Sequence, residues 1–296
     1  MKLKGFFQDI STLSRLFLLL FLVLAGNLLS SFLALGILHT YSGGNAEILQ
    51  SPNMVRLLQF ITATDTFLIP AFLWGWLCSN SVKEYLFIKN IPNAKVLWFA
   101  LLGLLMIEPT ISLTEFLNKQ VTFPGFLEPV ENWMREKEEA IKQLTMTLLS
   151  EKGVFAFAMN IIVIAITAAV TEEFLFRGAL QRIVGKWIPN YHVAIWVVAF
   201  IFSAFHLQFY GLIPRMLIGA YLGYLLYWSK TIWLPVLIHF ANNAIAVIVM
   251  SNGNLKEYEL ITGELSKEAI LSLTIVSIIG LTLFYFVVRK LKTLLA

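Results

Sequence analysis

The stretch FAMNIIVIAITAAVTEEFLFRGALQRIV, residues 157–184, decides what kind of protein this is. The chain is apolar from Phe155 to Val170, sets Glu172, Glu173 and Arg177 into the middle of the run, and continues to Val184. About 20 mostly apolar residues suffice for a membrane-spanning helix. A charge inside such a helix costs at least about 2.5 kcal/mol on insertion scales, so each one needs a partner or a task. Working outward, seven further segments have the same character: roughly 13–38, 54–78, 94–117, 190–209, 211–229, 231–250 and 267–288.

Composition agrees. Of 296 residues, 58% are hydrophobic and 14% charged, where a soluble domain carries about a quarter charged. The mean hydropathy is +0.76. These figures exclude a soluble enzyme, a disordered regulator and a nucleic-acid binder. The expected fold is all-α and polytopic, with about eight transmembrane helices in a single integral membrane domain, residues 1–296. The polar motifs fall within residues 160–250, which makes that region the expected catalytic core. The net charge of +4 then concerns topology and not nucleic acid. The run Leu16–Leu38 has no small-residue cleavage site close behind a short apolar core, so it reads as a retained helix. Cys78 is the single cysteine, and it forbids an internal disulfide.

Basic residues set the expected orientation. Lys2, Lys4 and Arg15 open the chain, and Arg289, Lys290 and Lys292 close it. Lys83, Lys89, Lys95, Lys186 and Lys230 lie in the even-numbered loops, whereas the loop from Thr40 to Asn53 has no Lys or Arg. Both termini are therefore expected in the cytoplasm. The extramembrane loop 118–152 holds an amphipathic helix, Glu128–Ser150, with Val130, Trp133, Met134, Ile141, Leu144 and Leu148 on one face. It reads either as a helix lying on the membrane surface or as a lid over a substrate entrance.

Several intramembrane charges have bland explanations. Arg56 and Glu115 lie near helix ends, where long side chains reach the interface. Asp65 and Glu108 lie near Pro70 and Pro109 and read as partners of Arg215 or caps of freed backbone groups. Three clusters remain. Glu173 and Arg177 are four residues apart and face each other on a helix, whereas Glu172 is turned about 100° away. One glutamate thus reads as structural and the other as available, unless both belong to one buried ion-pair network. Phe202 and His206 share a face of the fifth segment. His239 and Asn243 share a face of the seventh, with Asn242 pointing away. Taken singly, an intramembrane histidine is as readily a hydrogen-bonded packing residue, and His239 with Asn243 as readily interhelical glue.

If the three faces converge, the site holds a carboxylate, two imidazoles and an amide away from water. A carboxylate and a histidine position and deprotonate water. A histidine and an amide donate hydrogen bonds to an oxyanion. That set suffices to hydrolyse an amide by direct attack of water. Only Asp9 and Asp65 are present as aspartates, which excludes an intramembrane aspartyl dyad. Neither G-x-S-x-G nor H-E-x-x-H occurs. No cofactor is expected. A zinc site made of Glu172, His206 and His239 stays open as an alternative. The difficult step is depth. With the fourth segment at 160–184, Glu172 is at its midpoint, while His206 lies about 9 Å past the middle of its own segment.

The motifs Glu172-Glu173-x-x-x-Arg177, Phe202-x-x-x-His206 and His239-x-x-x-Asn243 resemble the three signatures of the CAAX protease and bacteriocin-processing family. These are type II CAAX prenyl endopeptidase-like intramembrane proteases, which include the abortive-infection proteins. Phe176-Arg177-Gly178, the glycines of Gly219–Gly223 and the run Thr231–Pro235 fit the same pattern. The resemblance implies an eight-helix intramembrane fold and glutamate-dependent peptide hydrolysis. By motif position, it implies that Glu172 and His206 activate water and that His239 and Asn243 stabilise the oxyanion. Glu173, Arg177 and Phe202 would be supporting residues. The implied partners are a membrane-embedded or membrane-associated peptide and the bilayer, and the loops resemble those of a bacterial member in the cytoplasmic (inner) membrane. Two other readings use the same residues. One is a non-enzymatic scaffold or bacteriocin-immunity protein of the same fold. The other is a proton-coupled transporter, in which intramembrane Glu and His are ordinary.

Overall fold

A computed structural model describes residues 3–42, 51–251 and 267–295, and among these residues there are helices and connections but no strand. Helix α1 spans Thr12–Ser42, α2 Pro52–Cys78, the short α3 Val82–Tyr85 and α4 Ala94–Lys119. The loop helix α5 spans Glu128–Ser150. Then come α6 Val154–Trp187, α7 Tyr191–Phe205, α8 Leu212–Ser229, α9 Trp233–Ser251 and α10 Lys267–Leu295.

Seven of the described helices are long and apolar enough to cross a membrane. Of the eight expected spans the exception is α7, which was expected over 190–209 and stops at Phe205. His206 caps it, Leu207 adopts a left-handed φ of 54°, and a 3-10 turn at Phe209–Gly211 leads into α8. With 15 residues, α7 is about 22 Å long against a hydrocarbon core of about 30 Å. The early stop puts His206 at a helix end inside the protein.

Two long helices are not uniformly α-helical. A π turn at Thr64–Leu68 precedes Pro70, which lacks a backbone donor and crowds the preceding turn. Helix α6 contains π turns at Ile161–Thr167 and Phe174–Leu180. Between them lies the α-helical stretch Ala168–Glu173, which carries both glutamates. A π turn accommodates an extra residue and so rotates the following side chains relative to an ideal helix.

The core sits where α6 is enclosed. Leu19 of α1, Trp74 of α2, Phe174 and Phe176 of α6, and Val198 and Phe202 of α7 belong to one buried cluster. A second cluster joins Ala100 and Leu104 of α4 to Leu222 and Leu225 of α8, Ile238 of α9 and Leu291 of α10. The outer helices keep large apolar side chains exposed, among them Phe21 and Phe32 of α1 and Ile278 and Phe286 of α10. Lipid tails cover such faces without cost.

Helix α5 docks on the body through its apolar face, burying Met134 and Leu148. Trp133 packs on Phe209, with ring centres 5.2 Å apart, and the Arg135 guanidinium lies 5.1 Å from the Tyr210 ring centre. The helix therefore covers the turn between α7 and α8. Arg56 ties its far end and does not reach outward to the interface as expected: it is 1% exposed. Its Nε donates to Asn160 Oδ1 at 2.9 Å, Nη1 to Glu151 Oε2 at 2.6 Å, and Nη2 to the Leu148 carbonyl at 3.1 Å.

Candidate active site

Glu173 and Arg177 form the floor of the site. Both side chains are fully buried, and Arg177 Nη1 donates to Glu173 Oε1 at 2.8 Å. Arg177 Nη2 donates to the Gly219 carbonyl at 2.9 Å. The guanidinium carbon stands 4.4 Å from the Phe202 ring centre. A buried charge is tolerated when paired and hydrogen-bonded, and each contact meets that need. Gly219 makes the close approach possible: a Cβ there would lie 3.1 Å from Phe202 Cδ1 and 3.4 Å from Ala199. One turn on, Gln181 Nε2 donates to the Gly223 carbonyl at 3.0 Å. Two side chains one turn apart on α6 thus grip two glycine carbonyls of α8.

The floor also orients His239. Its Nδ1 lies 2.8 Å from Glu173 Oε1, so the proton belongs on Nδ1 and Nε2 faces the other way. His239 is 6% exposed at its side chain. His206 is oriented by a parallel device: its Nδ1 lies 2.8 Å from the Phe202 carbonyl. A carbonyl only accepts, so this proton too is on Nδ1, and Nε2 points into the site. The Phe202 ring stands between the histidines, 5.0 Å from the His206 ring and 6.0 Å from that of His239.

Both Nε2 atoms face Glu172, whose Oε2 is 3.9 Å from that of His206 and 3.8 Å from that of His239. These separations exceed a direct hydrogen bond and suit a bridging water. Glu172 and His206 are 14% and 28% exposed at their side chains, so the pair is accessible while its supports are not. The depth difficulty raised by the sequence is met here, because α7 ends at His206 and turns it toward the α-helical stretch of α6.

Asn243 is placed differently. Its Nδ2 donates to the Ile164 carbonyl at 3.3 Å, eight residues before Glu172 in sequence. Its Oδ1 accepts from Asn242 Nδ2 at 3.2 Å. The structure therefore gathers Glu172, His206 and His239 around one point with Glu173, Arg177 and Phe202 behind them, and attaches Asn243 to the first π turn of α6. Among the described residues, no group of three or more His, Cys, Asp or Glu is disposed to hold a metal ion.

Arg215 does not pair with Asp65 or Glu108 as the sequence suggested. Its Nη2 donates to Gln208 Oε1 at 2.6 Å and its Nη1 to the Gln208 carbonyl at 3.4 Å. Buried Asp65 Oδ2 finds no hydrogen-bond partner among the described residues, and Glu115 pairs with Lys119 at 2.8 Å. Arg215 stands at the start of α8, directly after the turn that carries His206. Its nearness to the site was hidden by the unforeseen end of α7. The available signal was an arginine in the first turn of an apolar helix, soon after a motif histidine.

Residues 154–245, from the start of α6 into α9, match the family described as type II CAAX prenyl endopeptidase Rce1-like. The "Uncharacterized protein YpbD" of Bacillus subtilis (strain 168) is 29% identical over 90 residues, which is 29% of this chain and 43% of that protein. The chain thus matches less than half the length of this relative. No solved structure matches. The described residues are those of an all-helical integral membrane protein, in which residues 154–245 are similar to the type II CAAX prenyl endopeptidase Rce1-like family.

Proposed function

We propose that this protein is a glutamate-dependent intramembrane endopeptidase that cleaves a membrane-embedded or membrane-associated peptide, with no nucleic acid involved. We place it in a bacterial cytoplasmic membrane with both termini inside. The observation that carries the reading is the convergence of two Nε2 atoms on Glu172 Oε2, at 3.9 and 3.8 Å. A water between Glu172 and His206 gives one proton to the carboxylate and orients its other hydrogen on the His206 lone pair. Its oxygen adds to the peptide carbonyl carbon, and the carbonyl electron pair moves onto oxygen. His239, its Nδ1–H held by Glu173, presents Nε2 to that oxyanion and donates to it when both ring nitrogens carry a proton. The amide hydrogen of Asn243 not used on Ile164 is the second donor. Collapse breaks the C–N bond, and the leaving amine takes the proton from Glu172. Positioned oxyanion donors contribute about 10²–10³-fold each.

The proposed chemistry uses no metal. A zinc ion about 2.0–2.1 Å from both nitrogen and oxygen ligands would hold them roughly 3.4 Å apart, closer than the 3.9 and 3.8 Å found. Activity is expected to survive dialysis against chelators, and purified protein to contain less than stoichiometric zinc by elemental analysis. Loss of activity on chelation and its recovery with zinc would favour Glu172, His206 and His239 as ligands.

The deciding experiment compares peptides released from membranes holding the wild type, Glu172→Gln or His206→Ala. Both variants are expected to abolish release while inserting and melting like the wild type. Full cleavage by both would sink the proposal. A phenotype that survives Glu172→Gln would point to a scaffold or immunity role. Dependence on a proton gradient would point to a transporter.

A further inference from the structure

Away from the candidate active site, three lysines from different parts of the chain gather at one end of the bundle. Lys230 closes α8, Lys292 lies in the last turn of α10, and Lys89 lies between α3 and α4. A cavity of about 410 Å³ is lined by Lys230 and Lys292 with Tyr191, Tyr227 and Trp228. A second, of about 340 Å³, is lined by Lys89 with Asn90, Asn93, Ser229 and Thr231, and Leu295 borders both. Both volumes fall within the range of small-molecule sites, about 300–1,000 Å³. None of the three lysines lies within ion-pair distance of a carboxylate among the described residues.

Aromatic rings hold two of these lysines in place. Lys230 Nζ stands 3.9 Å from the centre of the Tyr227 ring, and Lys292 Nζ 4.6 Å from that of Trp228. The rings are themselves fixed: Tyr227 stacks on Tyr191 of α7 at 4.1 Å, and Trp228 on Tyr224 at 5.3 Å. A ring face attracts an ammonium without neutralising it, so the charge and its N–H donors stay available to an anion. Lys230 also takes a left-handed φ of 53° as it caps α8, its N–H donating to the Leu226 carbonyl at 2.9 Å. Glycine suits that position because it has no Cβ. A lysine there strains the backbone, and what it adds is the ammonium over Tyr227. Tyrosine and tryptophan gather where spanning helices meet the headgroups. Along α10 from Lys292, Tyr285, Leu281 and Ile278 precede it by seven, eleven and fourteen residues, which is one face of a helix. All three are exposed. An acyl chain has a surface to follow there, and a free phosphate has no use for it.

We propose that Lys230 and Lys292, with Lys89 beside them, bind the phosphate of an anionic phospholipid whose acyl chains lie along α10, so that the lipid links the end of α8 to the end of α10. Ammonium donors and a phosphodiester form charge-assisted hydrogen bonds, and basic pockets between spanning helices suit such headgroups. The inference uses no residue of the site around Glu172 and does not depend on the hydrolase reading.

The test titrates the purified full chain, in a neutral detergent, with phosphatidylglycerol, with phosphatidylcholine of the same acyl chains, and with inorganic phosphate. Native mass spectrometry counts the retained lipid, and thermal unfolding reads the stabilisation that a bound ligand confers. The wild type is expected to retain one phosphatidylglycerol and to melt higher with it, and to respond to neither phosphatidylcholine nor phosphate at the same concentration. Lys230→Gly and Lys292→Gln are each expected to weaken retention about fivefold, and together about 30-fold. Because glycine suits the end of α8, Lys230→Gly is expected to melt no lower than the wild type without lipid, so its loss of lipid is not a loss of fold. Lys83→Gln removes an exposed lysine outside both cavities and is expected to leave retention unchanged. Equal retention of phosphatidylcholine, equal stabilisation by phosphate, undiminished retention by the double variant, or a loss of the same size in Lys83→Gln overturns the inference.

Discussion

Glu172 and Glu173 are neighbours in sequence with opposite surroundings, and the contrast defines the site. Glu173 is sealed beneath it with Arg177 and His239, whereas Glu172 faces two imidazole nitrogens and keeps some exposure. Removing one member of the buried pair strands the other, so Glu173→Gln or Arg177→Met is expected to cost about 3–5 kcal/mol. The double variant Glu173→Met/Arg177→Met leaves no stranded charge. It is expected to regain most of that stability while remaining inactive, because His239 has lost the acceptor of its Nδ1 proton. Denaturant unfolding in detergent, run beside the cleavage assay, separates the two effects. The Glu173–Arg177 pair was legible because its spacing of four is a local property of a helix. The hydrogen bond from His239 to Glu173 was not, since it depends on how α6 and α9 are rotated against each other. For the same reason, the attachment of Asn243 to Ile164 escaped a reading that placed it beside His239 on helical spacing alone.

At the scale of elements, helix identity was readable from hydropathy, but helix ends and internal turns were not. Apolar residues continue past Phe205, so nothing in the composition marks the stop that turns His206 inward. The π turns of α6 fall within an apolar run that looks uniformly helical, and no short sequence pattern announces them. The glycines of α8 are a different case, because each answers a definite close approach. Adding a Cβ at Gly219 presses on Phe202 and Ala199, and overpacking of this kind costs about 1–3 kcal/mol. Gly219→Val is thus expected to reduce both stability and cleavage by moving the ring that lies between the histidines. At Gly185 of α6 a Cβ meets nothing within 4 Å. Gly185→Ala is expected to stabilise the protein by up to about 1 kcal/mol through helix propensity, and the pair of melting curves checks the contrast. The start of α5 has its own acid sensitivity. Arg135 and the Phe123 N–H donate to Glu131 and hold its carboxyl below the ordinary glutamate value of 4.5. The stabilisation is present above that value and is lost as pH falls through the lower folded one. Acidification below pH 4.5 is therefore expected to loosen α5, seen as a change in Trp133 emission that Glu131→Gln abolishes.

For the whole molecule, the arrangement places a polar centre inside an apolar shell and covers one approach with α5. Amphipathic spacing identified that helix but left open whether it lay on the membrane or over an entrance. Its seat on Phe209 and Tyr210 puts it over the turn that carries His206, and Arg56 fastens its other end through Glu151 and Leu148. A hinge near the fastened end would let the Trp133 end lift while the Arg56 end stays in place. If the peptide enters under α5, fixing that helix to the turn closes the way in without touching Glu172 or either histidine. A cleavable bis-maleimide linking Trp133→Cys to Phe209→Cys, in a Cys78→Ser background, makes this measurable. Cross-linked protein is expected to lose cleavage of membrane-anchored peptides and to recover it when the linker is cut. Unchanged turnover in fully cross-linked protein would show that the peptide reaches Glu172 by a different route between the spanning helices, with α5 serving only to hold the His206 turn.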